Sequence, residues 1–182
     1  MHTLARAGAA LLLMAIPEFA LAAPKPLTPV IPEAYGFIPV PQASVKPDKS
    51  HVYKAIFDAR QAAAKPAELA PALMFAGAEL NTLSASGVPL SNIDFVIIFH
   101  TTDADSAVWD NAHYRAKFGV DNPNLKVLSE MKKAHVRVYV CAQQLVADNV
   151  PFDSLSPDVT LATDGLVVLM TFENAGYALL SY

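Results

Sequence analysis

The chain has 182 residues, a formal net charge of −4 and one cysteine. That length suffices for one domain with a real core. The mild acidity and the lack of any lysine–arginine run argue against nucleic acid as a partner, and a lone cysteine excludes an internal disulfide.

The first residues have the form of an export signal. Arg6 precedes an unbroken small-apolar run, Ala7 to Ile16, and Ala20-Leu21-Ala22 offers small residues at the cleavage-recognition positions. The run is too short to span a bilayer, which takes roughly 20 residues. Residues 1–22 are therefore expected to be a cleaved signal peptide. The mature protein is expected in a bacterial periplasm, with no membrane span after signal removal. Its free thiol then sits where thiols are usually oxidised, which asks for an explanation.

Residues 23–50 hold seven of the fourteen prolines. Proline at that density blocks helix and central strand alike, so an extended, largely polyproline-like arm is expected. Tyr35, Phe37, Ile38 and Val40 lie within it and suggest that the arm packs on its own domain or on a neighbouring subunit.

Residues 51–182 read as one α/β domain. Val52, Lys54, Ile56 and Asp58 alternate with Tyr53, Ala55 and Phe57, the pattern of a first strand. Leu69, Leu73, Ala76, Leu80 and Leu83 recur at helical spacing, with Pro71 in the first turn and Ser86-Gly87 as the stop. The largely apolar run Ile93 to Phe99 predicts a strand covered on both faces. A helix over Asp110 to Phe118 closes at Gly119. A second starts at Asn122-Pro123, with Asn122 as N-cap, and buries Leu125, Leu128 and Met131. Val136 to Val140 is the next strand and Ala142 to Asp148 a short helix. Val159 to Ala162 is a short strand, Gly165 to Asn174 a helix, and Tyr177 to Ser181 a closing strand. Strands alternating with helices imply a three-layer α/β/α domain around a mainly parallel sheet of about five strands. The order of those strands is not readable from the pattern.

In open α/β sheets, sites gather beyond the carboxyl ends of strands. His100 and Cys141 fall there, each following an apolar strand. Cys141 also precedes a helix, where unpaired backbone N–H groups and the helix dipole favour a thiolate. Its bland alternative is a small buried hydrophobe. His100 could exchange a proton with sulfur, or merely cap a strand end. His100, Asp103, Asp105, His113 and Cys141 are metal-ligand types, but no CxxC or HExxH spacing joins them. No metal is expected, and Asp103 and Asp105 are expected to cap a helix or solvate a loop. Trp109 and Tyr114 suit a helical face or pocket wall, while His113, Glu173 and Asn174 are expected to be solvated. No GxGxxG, P-loop or GxSxG occurs, so no cofactor is expected and nucleotide chemistry and hydrolase triads lack support.

Three blocks carry a family resemblance: Tyr114-Arg115-x-Lys117-Phe118-Gly119-Val120-Asp121-Asn122-Pro123-Asn124-Leu125, then Val138-Tyr139-Val140-Cys141-Ala142-Gln143, then Gly176-Tyr177-Ala178-Leu179. From about His51 to Tyr182 the chain resembles the DsrE/DsrF-like (YchN-like) family. The resemblance implies a three-layer α/β domain assembling as a homotrimer or homohexamer. It also implies that Cys141 carries sulfur as a persulfide, exchanged with a sulfur donor or acceptor thiol. His100 would be its proton partner, and Thr101, Ala142 and Gln143 would shape the ligand site. Thr101 and Ala142 stand where relatives often have glycine, which permits closer backbone approach. The competing expectation is a non-catalytic binding or assembly protein of the same fold.

Overall fold

The computed structural model describes residues 24–182. The expected signal peptide, residues 1–22, lies outside the described residues. Five strands form one all-parallel sheet: β1 (Tyr53–Ala59), β2 (Ile93–Phe99), β3 (Arg137–Cys141), β4 (Thr160–Ala162) and β5 (Ala178–Ser181), in spatial order β4-β3-β2-β1-β5. The helices are α1 (Pro71–Ala85), α2 (Asn111–Phe118), α3 (Asn124–Lys133), α4 (Ala142–Ala147) and α5 (Gly165–Asn174).

The chain steps β1 to β4 in one direction and then crosses the whole sheet to lay β5 beside β1. Right-handed crossovers in opposite directions place helices on opposite faces. Residues from α1, α3 and α4 accordingly share the larger core with Phe57, Phe95, Ile97, Phe99, Val138 and Val140. On the other face α5 packs alone, its Val168 and Leu169 against Ile56, Val96 and Ile98. The period of two along β1 and β2 sorts these residues to the two sides. A doubly covered central strand has no solvated face, so β2 is buried at six of its seven positions.

Local signals set the helix ends. Pro71 occupies the start of α1, where its missing N–H is no loss. Asp110 caps α2 by accepting from His113 N at 2.7 Å, and Gly119 ends it in the left-handed region at φ 75°. Asn122 Oδ1 accepts from Asn124 N at 2.9 Å, which is the cap foreseen before Pro123, whose backbone is already helical.

The proline-rich segment is extended only in part. Leu27 and Phe37 exchange backbone hydrogen bonds at 2.8 Å, so the chain between them turns back and sets Ile31 and Ala34 against α1. Asn81 of α1, wholly buried, fixes that turn. Its Oδ1 accepts from Val30 N and Ile31 N, and its Nδ2 donates to the carbonyls of Ile31 and Tyr35. Gly77 makes the approach possible, since a Cβ there would stand 2.5 Å from Ala34 Cβ. Proline density limits regular structure but not a turn clamped by one satisfied amide.

Two further expectations change. The first strand starts at Tyr53 rather than at His51 or Val52. Asp105 neither caps nor solvates. It is 1% exposed inside a 3₁₀ turn over Ala104–Val108, and neither carboxyl oxygen has a protein partner among the described residues.

Candidate functional site

Three polar side chains meet at the carboxyl ends of the central strands, on the α5 side of the sheet. Strand alternation puts Asp58 on the same face as Ile56, and His100 on that of Ile98. Cys141 is the last residue of β3 rather than the first beyond it, so it shares a face with Tyr139. Phe99 pairs with Val140, so the next step brings His100 and Cys141 level on adjacent strands. His100 Nε2 lies 2.6 Å from Asp58 Oδ1, and Ser181 Oγ of β5 donates to Asp58 Oδ2 at 3.3 Å. Asp58 and Cys141 are each 5% exposed, so the group faces solvent only through a narrow mouth.

That mouth is a cavity of about 260 Å³ lined by His100, Cys141, Gln143, Gln144, Asp164, Gly165 and Leu166. The first turn of α5 closes one wall. Asp164 caps it, Oδ1 accepting from Leu166 N at 2.8 Å and Val167 N at 3.1 Å. Gly165 is there because nothing larger fits. An added Cβ would overlap His100 Cβ, stand 2.8 Å from His100 Cγ and 3.4 Å from Cys141 Cβ. The opposite wall is α4, for which Cys141 is itself the N-cap residue. A larger groove of about 630 Å³ lies at the other end of the sheet, lined by residues that include Tyr53, Lys54, Glu79 and Tyr182. It contains no thiol.

Of the residues foreseen from sequence, the structure brings His100, Cys141 and Gln143 to one cavity. Thr101 and Ala142 do not line it. The Thr101 hydroxyl instead donates to the Arg60 carbonyl at 2.9 Å, tying the end of β2 to the end of β1. Asp58, Gln144, Asp164 and Gly165 are site residues that the sequence pattern did not single out. Asp58 lies inside β1, where it read as one polar position of an alternating strand. Gln144 is held by Thr102 Oγ1 at 2.9 Å and Asp148 Oδ2 at 2.7 Å.

The other metal-ligand types are dispersed. Asp103 accepts from Lys117 Nζ at 3.1 Å, and the His113 ring, half-buried rather than solvated, stands edge-on to Trp109. No group of three or more His, Cys, Asp or Glu is arranged to hold a metal ion among the described residues. Burial is the main cause that pushes the Asp105 carboxyl up to about 7, with the nearby Asp148 adding to it and Lys117 opposing.

No family model and no curated protein matches the chain. Among solved structures it is similar to MTH1491 from Methanobacterium thermoautotrophicum, a protein of unknown function, at 15% identity and a TM-score of 0.54. It is similar also to the ychN protein from E. coli, at 19% identity and a TM-score of 0.53. Each likeness covers 71% of this chain and 99% of the other. At these identities the likeness is one of fold: the chain is a three-layer α/β protein. The particular arrangement is the YchN-like one, with the Cys141 cavity at its carboxyl edge.

Proposed function

We propose that the protein is an exported member of the DsrE/DsrF-like family that carries sulfane sulfur on Cys141. One observation supports this above the others. The chain's single thiol shares a small cavity with an imidazole, at the end of the sheet where α/β proteins place their chemistry. In the proposed cycle the Cys141 thiolate attacks the outer sulfur of a sulfane donor such as polysulfide or thiosulfate. A Cys141–sulfur bond forms and the donor's sulfur–sulfur bond breaks. The bonding pair leaves with the shortened polysulfide or with sulfite. An acceptor thiolate then attacks the outer persulfide sulfur and releases Cys141 as thiolate, so no net electrons are needed. Without a second cysteine the chain cannot resolve the persulfide itself, which suits a carrier that needs an external acceptor. Gln143 would contact the ligand, and His100 would hold or return the proton.

A second reading is a non-catalytic assembly or binding protein, and one observation favours it. On the ten-residue α5, Leu166, Val167 and Met170 are each more than half exposed, a surface that a homo-oligomer would cover. Intact mass separates the readings. After treatment with polysulfide or thiosulfate, the carrier gains one or more sulfur atoms, reversibly by reductant, and Cys141→Ala does not. No adduct on the folded protein favours the assembly role.

A further inference from the structure

The thiol's partner histidine is itself held by a group to which no role has been given. Asp58 is the penultimate residue of β1, beside β2, and is almost wholly buried on the α5 side of the sheet. A buried carboxylate is costly unless its oxygens are bonded, and both are. Oδ1 meets His100 Nε2 at 2.6 Å and Oδ2 accepts from Ser181 Oγ at 3.3 Å. The backbone closes the same corner. Tyr182 N donates to the Asp58 carbonyl at 3.0 Å, and the Tyr182 carbonyl accepts from Arg60 N at 2.6 Å and Gln61 N at 3.1 Å. The end of the chain thus clamps Asp58 in place.

We infer that Asp58 is the positioning residue of the site: it fixes His100 in the tautomer that carries its proton on Nε2, leaving Nδ1 as the nitrogen that exchanges a proton with Cys141. A carboxylate can only accept, so the ring nitrogen facing it donates. A neutral imidazole has one donor and one acceptor nitrogen, so committing Nε2 leaves Nδ1 unprotonated. The layout agrees. Asp58 lies on the β1 side of His100 and Cys141 on the β3 side, and Gly165 passes so close to His100 that a Cβ there would overlap the His100 Cβ and Cγ. In the step this serves, the Cys141 S–H bond breaks and an Nδ1–H bond forms, giving thiolate and imidazolium, whose Nε2–H remains on Asp58. Its consequence for sulfur transfer rests on the carrier reading; the tautomer does not.

The test is the ¹⁵N imidazole spectrum of the protein labelled at histidine, with the His100 signals assigned by their loss in His100→Gln. The neutral ring is expected to show a protonated ε2 and an unprotonated δ1 nitrogen. In Asp58→Ala the two tautomers should mix, and alkylation of Cys141 should slow by about tenfold or more, as expected when a proton acceptor is misplaced. Asp58→Asn, which keeps an accepting oxygen, should recover part of that rate, and it stands in if the alanine variant does not fold. A δ1-protonated His100 in the unaltered protein, or an unchanged tautomer and rate in both variants, overturns the inference. If the ε2 tautomer is found but no sulfur loads, Asp58 keeps its positioning role and the carrier reading falls. Sulfur loading on a δ1-protonated site overturns the role of Asp58 alone.

Discussion

The two faces of the sheet are built differently. The face under α1, α3 and α4 is a broad apolar layer with phenylalanines from β1 and β2 at its centre. The face under α5 has a small apolar patch, and polar side chains flank it at both strand ends. Asp58, His100 and Cys141 stand at the carboxyl end. Near the amino end Arg137 binds Asp94 at 2.6 Å and Tyr177 at 2.8 Å, its guanidinium lying over the Phe172 ring. One face stabilises the domain, and the thinner one leaves room for chemistry. A single crossover to the far edge of the sheet produces that asymmetry, because only α5 is sent to the second side.

Neighbouring residues of β2 offer the sharpest test of this contrast. Ile97 and Ile98 are both fully buried but face opposite layers. Ile97→Ala should cost about 4 kcal/mol in urea unfolding, and Ile98→Ala about 2 kcal/mol, because a void under a single helix collapses more readily than one under a broad layer. Equal losses would mean that the faces are equally well packed.

Asp105 is a buried acid on the thick side. Its carboxyl is raised in the fold to about 7 from an ordinary value of 3.8, so the folded chain holds an extra proton between those values. Stability contributed by this group is full below about pH 4 and is lost as pH rises through 7. Asp105→Asn should therefore be more stable than the parent by about 4 kcal/mol at pH 8, with the gain vanishing near pH 4. A gain independent of pH would show that burial without partners, rather than ionisation, sets the cost.

Smaller effects are expected on the thin side. Gly165→Ala should cost about 1–3 kcal/mol by overpacking, and should also slow alkylation of Cys141 because helix and His100 must part. Met170→Ser, at an exposed α5 position, should change protomer stability by less than about 0.5 kcal/mol. A larger loss that depends on protein concentration in thermal unfolding would show that a second copy covers α5.

Much of the fold was legible in the sequence because its signals are local. The bounds of β2 follow from one apolar run interrupted only at Asp94, and α5 spans Gly165 to Asn174 as the pattern predicts. Strand order was not legible, since periodicity says which faces are covered but not which strands are neighbours. The site was half legible. His100 and Cys141 end apolar strands that precede loops or helices, whereas Asp58 looked like the polar beat of an alternating strand. Its partner Ser181 lies 123 residues away. Asp105 misled for a related reason: an aspartate between short turns reads as solvated, and only the packing of α3 on that 3₁₀ turn shows otherwise.

The thin face is expected to present a thiol that reacts in the folded protein. The most direct measurement is the alkylation rate of Cys141 by a small neutral reagent, followed across low, non-denaturing urea concentrations. The rate in native buffer is expected to be independent of urea below the unfolding transition, because access is through the cavity. A rate that climbs with urea in step with global unfolding would contradict it, and would make Cys141 a core residue of the sheet.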